Sequence, residues 1–336
     1  MLKRKVRCGN VTFGDGNVYV QSMLNVLPDD VDGNVRQALE LQGAGCDVIR
    51  VSVPEPKDAA LVYALKNAVA VPIVADIHFN AKCALEAVSA GADKIRLNPG
   101  NFPKDKLAEI VSACNARQIP IRVGLNGGSL EKGNTFLTSA ANYINKLEQL
   151  GFENIVLSAK ASDVKTTIAL NRELHNAYPY PLHIGVTEAG TTQMGIVKSA
   201  IGIGALLSDG IGDTIRVSLT APPVDEVYAA HNILKAVGLR GGVNVISCPT
   251  CGRTRINIAR LADEVNARFG ALQRDITIAV MGCAVNGPGE ARNADYGIAG
   301  GDGEGLLFAR GEIIRKVPED ELLAELENLI NNPNYF

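Results

Sequence analysis

Short runs of β-branched and aliphatic residues alternate with longer amphipathic stretches from about residue 18 to residue 238, the pattern of repeated βα units and a parallel sheet. Eight strands are predicted: VYVQSM (18–23), DVIRVSV (47–53), PIVADIH (72–78), KIRLN (94–98), PIRVGLN (120–126), NIVLSAK (154–160), LHIGVTE (182–188) and DTIRVSL (213–219). Each is followed by helical periodicity, over roughly 32–45, 57–69, 81–91, 103–117, 135–150, 162–177, 191–208 and 224–237. Eight such units in about 220 residues close a (β/α)8 TIM-type barrel. A doubly wound open sheet is the rival architecture.

After LRGGVN (239–244) the rhythm changes. VNVIS, a CPTC turn, the helical INIARLADEVNARF, the strand DITIAVMG, the loop CAVNGPGEARNADYG, a hairpin in GLLFARGEIIRKV and a last helix over 318–330 predict a small α+β, βαββα-like unit. Gly241–Gly242 marks the boundary, giving a barrel domain over 1–240 and a second domain over 241–336.

Composition narrows the function. With 46% hydrophobic and 21% charged residues the chain is globular, and a net charge of −3 gives no general attraction to nucleic acid or anionic membrane. Eight Phe, eight Tyr and no Trp leave no basic patch interleaved with aromatics. No apolar run is long enough to span a bilayer, and MLKRKVRCGNVTF has no apolar stretch behind its basic residues, so a cytoplasmic protein is expected. In that reducing compartment CPTC favours metal over disulfide.

Barrel enzymes place their chemistry at the C-terminal ends of the strands. Here those ends carry Gln21 and Ser22, Arg50, Asp76 and His78, Arg96 and Asn98, Arg122 and Asn126, Ser158 and Lys160, Thr187 and Glu188, and Arg216 and Ser218. One arginine at such a place is ordinarily a rim salt bridge. Four arginines and a lysine converging on one face are unfavourable unless an anion neutralises them, and phosphate or diphosphate matches arginine forks. Asp76 and Glu188 are available to balance some of this charge. Glu188, in TEAG, also stands where it could exchange a proton with substrate. His78 is a structural hydrogen-bonder or a catalyst.

Three cysteines fall in the second domain: Cys248 and Cys251 in SCPTCGRT, and Cys283 in MGCAVNGPGEA. Structural zinc would want a fourth Cys or His, yet His78, His175, His183, His231, Cys8, Cys46, Cys83 and Cys114 all lie in the barrel half. An iron–sulfur cluster accepts an oxygen ligand on one iron, and Glu290, seven residues after Cys283 across the turn NGPG, is the best candidate. The barrel cysteines read as small buried hydrophobes.

The motifs QSM, DVIRVSVP, VADIHF, KIRLNPGN, IRVGLNGGSL, SAKASDV, GVTEAG, KSAIGIG, LSDGIGDTIRVSL, CPTCGR and GCAVNGPGEA occur in that order. In them the chain resembles the IspG (GcpE) family of 4-hydroxy-3-methylbut-2-enyl diphosphate synthases, in its two-domain bacterial form. The resemblance implies reductive dehydration and ring opening of 2-C-methyl-D-erythritol 2,4-cyclodiphosphate in the methylerythritol phosphate route to isoprenoids. It implies a [4Fe–4S] cluster on Cys248, Cys251, Cys283 and Glu290, fed one electron at a time by reduced flavodoxin or ferredoxin. Diphosphate binding falls on Arg50, Arg96, Arg122, Asn126 and Lys160, with Ser218 near them and Glu188 as the acid of TEAG. The chain departs from the family after the first strand, where Leu24 and Val26 replace hydroxyl-bearing residues.

The rival function is a non-redox barrel enzyme for a phosphorylated or pterin-like substrate, with a structural metal in the C-terminal domain. A metal-dependent binding module is a second rival. Chain direction adds one expectation. The helix over 224–237 should end at the bottom of the barrel, and a linker of about five residues (238–242) spans at most roughly 17 Å. That is too short to bring the second domain to its own barrel's mouth, so a homodimer is expected in which each cluster domain serves the other subunit's barrel, as the resemblance also implies.

Overall fold

The computed structural model describes residues 3–100, 102, 104–126, 135–272, 274–284 and 287–332. The chain divides into two compact units at Val237/Gly238. In the first, eight parallel strands, β3 (Tyr19–Met23), β4 (Val48–Ser52), β5 (Ile73–Ile77), β6 (Lys94–Leu97), β7 (Ile121–Asn126), β8 (Ile155–Lys160), β9 (His183–Ile184) and β10 (Thr214–Ile215), lie in the order β8-β7-β6-β5-β4-β3-β10-β9. A parallel bridge between Leu157 and Leu182 joins the two ends of this sheet and closes the barrel. The helices are α1 (Val31–Gly43), α2 (Ala59–Ala68), α3 (Ala81–Ser89), α4 (Leu107–Arg117), α5 (Phe136–Gln149), α6 (Val164–Ala177), α7 (Thr192–Ser208) and α8 (Pro223–Ala236).

Local sequence sets these elements. In α5 the buried residues Ala140, Tyr143, Ile144 and Leu147 form a single stripe, and Thr135 caps its first turn by accepting from Thr138 N. Strand alternation divides the barrel into two environments. Ile49, Val51, Ile73, Ala75, Ile95, Ile121, Val123, Ile155 and Leu157 face the helices in the main core, whereas their neighbours Val48, Val74 and Val156 face inward. The inward valines pack against Val6, Cys8 and Phe13 of an N-terminal antiparallel hairpin, β1 (Val6–Cys8) and β2 (Val11–Phe13). Because these valines stand at the starts of their strands, the hairpin plugs the N-terminal end of the barrel.

Strands β9 and β10 are shorter than the predicted 182–188 and 213–219. Beyond Ile184 the Arg216 carbonyl approaches Gly185 more closely than any side chain there would allow.

The second unit is a five-stranded mixed sheet, β11 (Val243–Ser247), β12 (Ile276–Met281), β13 (Tyr296–Gly300), β14 (Glu304–Ala309) and β15 (Glu312–Pro318), in sequential order. The first three strands are parallel and the last two antiparallel. Helices α9 (Ile258–Phe269) and α11 (Leu322–Asn331) cover one face, and the segment around α10 (Gly287–Glu290) covers the other. The unit is therefore richer than the expected βαββα, since the predicted loop 283–297 holds a helical turn and the start of a central strand. That strand, YGIAG, is weak in β-propensity because two of its five residues are glycine, and both glycines are packed over. A methyl group on Gly297 would strike the Phe308 ring, and one on Gly300 would meet Ile256.

Candidate functional site

The alternation that sends Val48, Val74 and Val156 inward also sends Arg50, Asp76, Arg96, Arg122, Lys160 and Arg216 into the upper barrel. Asp76 pairs in register with Arg96, and Arg96 with Arg122. Arg96 donates from Nη1 to Asp76 Oδ1 at 3.1 Å and from Nη2 to the Gly124 carbonyl at 3.3 Å. The other Asp76 oxygen lies 3.7 Å from Arg50 Nε and 3.3 Å from His78 Nε2. Arg216 is held by Glu226, Nε to Oε2 at 3.2 Å and Nη2 to Oε1 at 3.3 Å. Glu226 also accepts from Ser22 Oγ and the Leu219 amide, both at 3.1 Å.

Both buried carboxylates are thus occupied, while Arg122 and Lys160 form no ion pair among the described residues. The Nε and Nη1 groups of Arg122 and the Nε of Arg96 are buried without a partner among the described residues. Two glycines make room for the cations. A methyl on Gly124 would lie 2.7 Å from Arg96 Nε, and one on Gly185 would lie 2.8 Å from Lys160 Nζ.

The electrostatics record the cost of this crowding. Burial first, then Arg216 and Arg96 against the pull of Asp76, bring the Arg50 guanidinium down to about 10. Burial and the neighbouring cations push Arg122 and Lys160 well below their ordinary values. Burial opposes ionisation of Asp76, but Arg50, His78 and Arg96 outweigh it and hold its carboxyl well below the usual range. An anion placed here would relieve this repulsion and supply acceptors for the unpartnered N–H groups.

The remaining expected residues lie around this core. Asn126 ends β7 and is half-buried, as is Ser218. Glu188 is exposed, sits in the left-handed region at φ 51° and forms no ion pair among the described residues. Charge balance is therefore provided by Asp76 and by Glu226, not by Glu188. Glu226 escapes sequence reasoning because DE in the first turn of a helix reads as a favourable dipole contact. Its position on the buried stripe with Pro223, Val227 and Ala230 was the available signal. Leu24, at the divergent loop, packs into the main core.

In the second unit, Cys248 follows β11 and Cys283 lies just past β12, at the same ends of adjacent parallel strands. The Gly282 amide donates to Cys248 Sγ at 3.2 Å. The turn after Cys251 closes through Thr254, whose amide donates to the Cys251 carbonyl at 3.0 Å. Hydrogen bonds from the Arg253 backbone and side chain and from Thr254 draw the Cys251 thiol below its ordinary pKa. Amides aimed at sulfur favour thiolate, the form that binds iron. Arg253 feels Cys251, Cys283 and Glu290 together, and Glu290 ends a helical turn tied back by Gly287 N to the Cys283 carbonyl at 3.2 Å. Among the described residues no three His, Cys, Asp or Glu side chains converge to metal-ligating geometry. The donor set nonetheless fits an iron–sulfur group in chemistry and in sharing one end of a sheet. Burial raises the barrel thiols of Cys8 to about 11 and of Cys46 and Cys114 to about 12, which makes them inert.

A closed parallel barrel with a buried arginine cluster at its mouth, followed by a small cysteine-bearing sheet domain, defines a two-domain barrel enzyme for an anionic substrate. Residues 3–231 match the GcpE TIM-barrel domain and residues 244–332 the GcpE protein C-terminal domain. The chain belongs to the GcpE family. It is 49% identical to the 4-hydroxy-3-methylbut-2-en-1-yl diphosphate synthase (flavodoxin) of Geobacter sulfurreducens over 97% of this chain and 98% of that protein. It is also 49% identical to the one of Caldicellulosiruptor saccharolyticus, over 97% of each. Among solved structures, a dihydropteroate synthetase product complex matches with TM-score 0.52 at 18% identity, over 69% of this chain and 98% of that one. The Stenotrophomonas maltophilia dihydropteroate synthase matches with TM-score 0.52 at 17% identity, over 70% of this chain and 97% of that one. At such identities the likeness is one of barrel fold alone.

Proposed function

We propose that this chain converts 2-C-methyl-D-erythritol 2,4-cyclodiphosphate to 4-hydroxy-3-methylbut-2-enyl diphosphate. The observation that carries this is the buried, in-register Arg96–Arg122 pair with unpartnered N–H groups, in a chain related along both domains to synthases of that name. A non-redox role for a phosphorylated or pterin-like substrate is not favoured, because the relatives that match nearly the whole chain are synthases of the name above.

In this reading Arg96 and Arg122 grip the diphosphate oxygens. Arg50 and Arg216, oriented by Asp76 and Glu226, complete the charge, and Lys160 reaches the substrate past Gly185 with Asn126 and Ser218 beside it. Glu188 is assigned the proton exchange that accompanies loss of water, supported by its exposure and its left-handed backbone in the segment that follows β9. Cys248, Cys251, Cys283 and Glu290 would hold a [4Fe–4S] cluster, which when bound supplies two electrons one at a time. Reduced flavodoxin is the donor named for the relatives and is assigned here ahead of ferredoxin.

No helix among the described residues is long and apolar enough to cross a membrane. A reducing, cytoplasmic setting is proposed because the ligand thiols must stay reduced. The domain boundary is taken at 240/241, with substrate on the barrel and the cluster on 241–336. A homodimer working in trans is supported by the short linker. It is also supported by α7, whose outward side leaves Met194, Val197 and Ile201 53%, 47% and 56% exposed. Anaerobic reconstitution with iron and sulfide, then assay with reduced flavodoxin and the cyclodiphosphate, tests the function. A colourless protein without turnover would sink it.

A further inference from the structure

Beneath the arginine layer the barrel holds one more cation. Lys94, the first residue of β6, faces inward two residues before Arg96, a step of roughly 7 Å along the strand, and is fully buried. Among the described residues its Nζ has no hydrogen-bond partner, and it lies 4.2 Å from the centroid of the Phe13 ring on the N-terminal hairpin. Asp93, next in sequence, is committed to Lys66 Nζ at 2.7 Å and to the Ile73 amide at 2.8 Å. The nearby Cys8 thiol stays neutral, being pushed up to about 11 by burial. Burial lowers the Lys94 ammonium to about 8, with Cys8 opposing and Arg122 and Arg50 adding to it, and the Phe13 ring face beneath the Nζ favours the charged form.

A buried charge without a counter-ion, stacked under like charges, weakens the fold, and an unbranched apolar side chain of similar length would fill the same space without that cost. The arrangement has one evident use, which is to raise the potential where an anion binds. We propose that Lys94 is a positioning residue for the anionic substrate, a positive floor under Arg96 and Arg122 that strengthens diphosphate binding at the expense of stability, with Phe13 fixing its ammonium from below. This rests on the reading of the barrel mouth as a diphosphate site.

Inorganic diphosphate, titrated calorimetrically into the full-length protein at neutral pH, is the probe, with thermal unfolding measured alongside. Lys94→Met is expected to bind it on the order of tenfold more weakly and yet to melt roughly 2–6 °C higher. Phe13→Leu, which keeps the charge, is expected to melt lower while holding affinity within about twofold. A purely structural lysine cannot give opposite signs, so a Lys94→Met protein that melts lower, fails to fold or binds diphosphate as tightly as wild type overturns the inference. A wild-type protein that does not bind diphosphate would instead fail the anion reading of the mouth, and this role with it.

Discussion

Asp76 and Arg96 meet across adjacent strands in register, Oδ1 to Nη1 at 3.1 Å, both almost fully buried. The same carboxylate faces Arg50 and His78, so it is the hinge of charge balance on that side of the barrel. Asp76→Asn is expected to cost about 3–5 kcal/mol of stability at neutral pH, because it leaves buried guanidinium groups uncompensated. The sign with pH follows from the depressed carboxyl. Its stabilisation is present above the unfolded value of about 3.9 and is lost as pH falls from there toward the folded value. Urea unfolding of wild type and variant should therefore show the gap narrowing below about pH 4. A gap that stays constant into acid would contradict the assignment.

Among the described residues Arg122 forms no ion pair, and Asp76 acts on it only at a distance, which separates its role from that of Arg96. Arg122→Ala is expected to weaken substrate binding by roughly 2–5 kcal/mol with little loss of melting temperature, since its removal relieves like-charge repulsion. Unchanged affinity would take this arginine out of the site.

In the proposed ligand set Glu290 offers oxygen where Cys248, Cys251 and Cys283 offer sulfur. A carboxylate is the harder and more exchangeable ligand at an iron–sulfur centre, suited to yielding its place to a substrate oxygen. Glu290→Cys is expected to retain iron and sulfide but lose most turnover. Full activity in that variant would show that ligand exchange at this position is not needed.

Much of this was legible in the chain because strand alternation is strict. Once Ile95 and Leu97 are assigned to the helix side, Lys94 and Arg96 must point inward, and the arginine cluster follows. What stayed hidden had local camouflage. VRC and VTF alternate on either side of Gly9-Asn10, the signature of a tight hairpin, but the basic residues around them read only as the absence of a leader. Glu226 looked like an ordinary first-turn acid because the contact that buries it, with Arg216, comes from another element. Strand β13 was masked by glycines whose smallness is demanded by Phe308 and Ile256, residues that only the fold brings near.

Subunit mixing tests the trans arrangement. A Glu188→Gln chain combined with a Cys283→Ser chain should recover about a quarter of wild-type activity, because about half of randomly assorted dimers are mixed and each has one intact site. Mixtures that exchange subunits yet stay inactive would mean that each chain completes its own site.

The hairpin packed against Val48, Val74 and Val156 fills the N-terminal end of the barrel, so among the described residues only the arginine end is left as a way in. Reactant must enter, and product depart, through the same portal. If the arginines hold the diphosphate as proposed, each molecule of product that lingers there bars the next reactant, so inhibition by product is expected to be competitive, and the grip that captures the cyclic diphosphate would also set how slowly the opened one escapes.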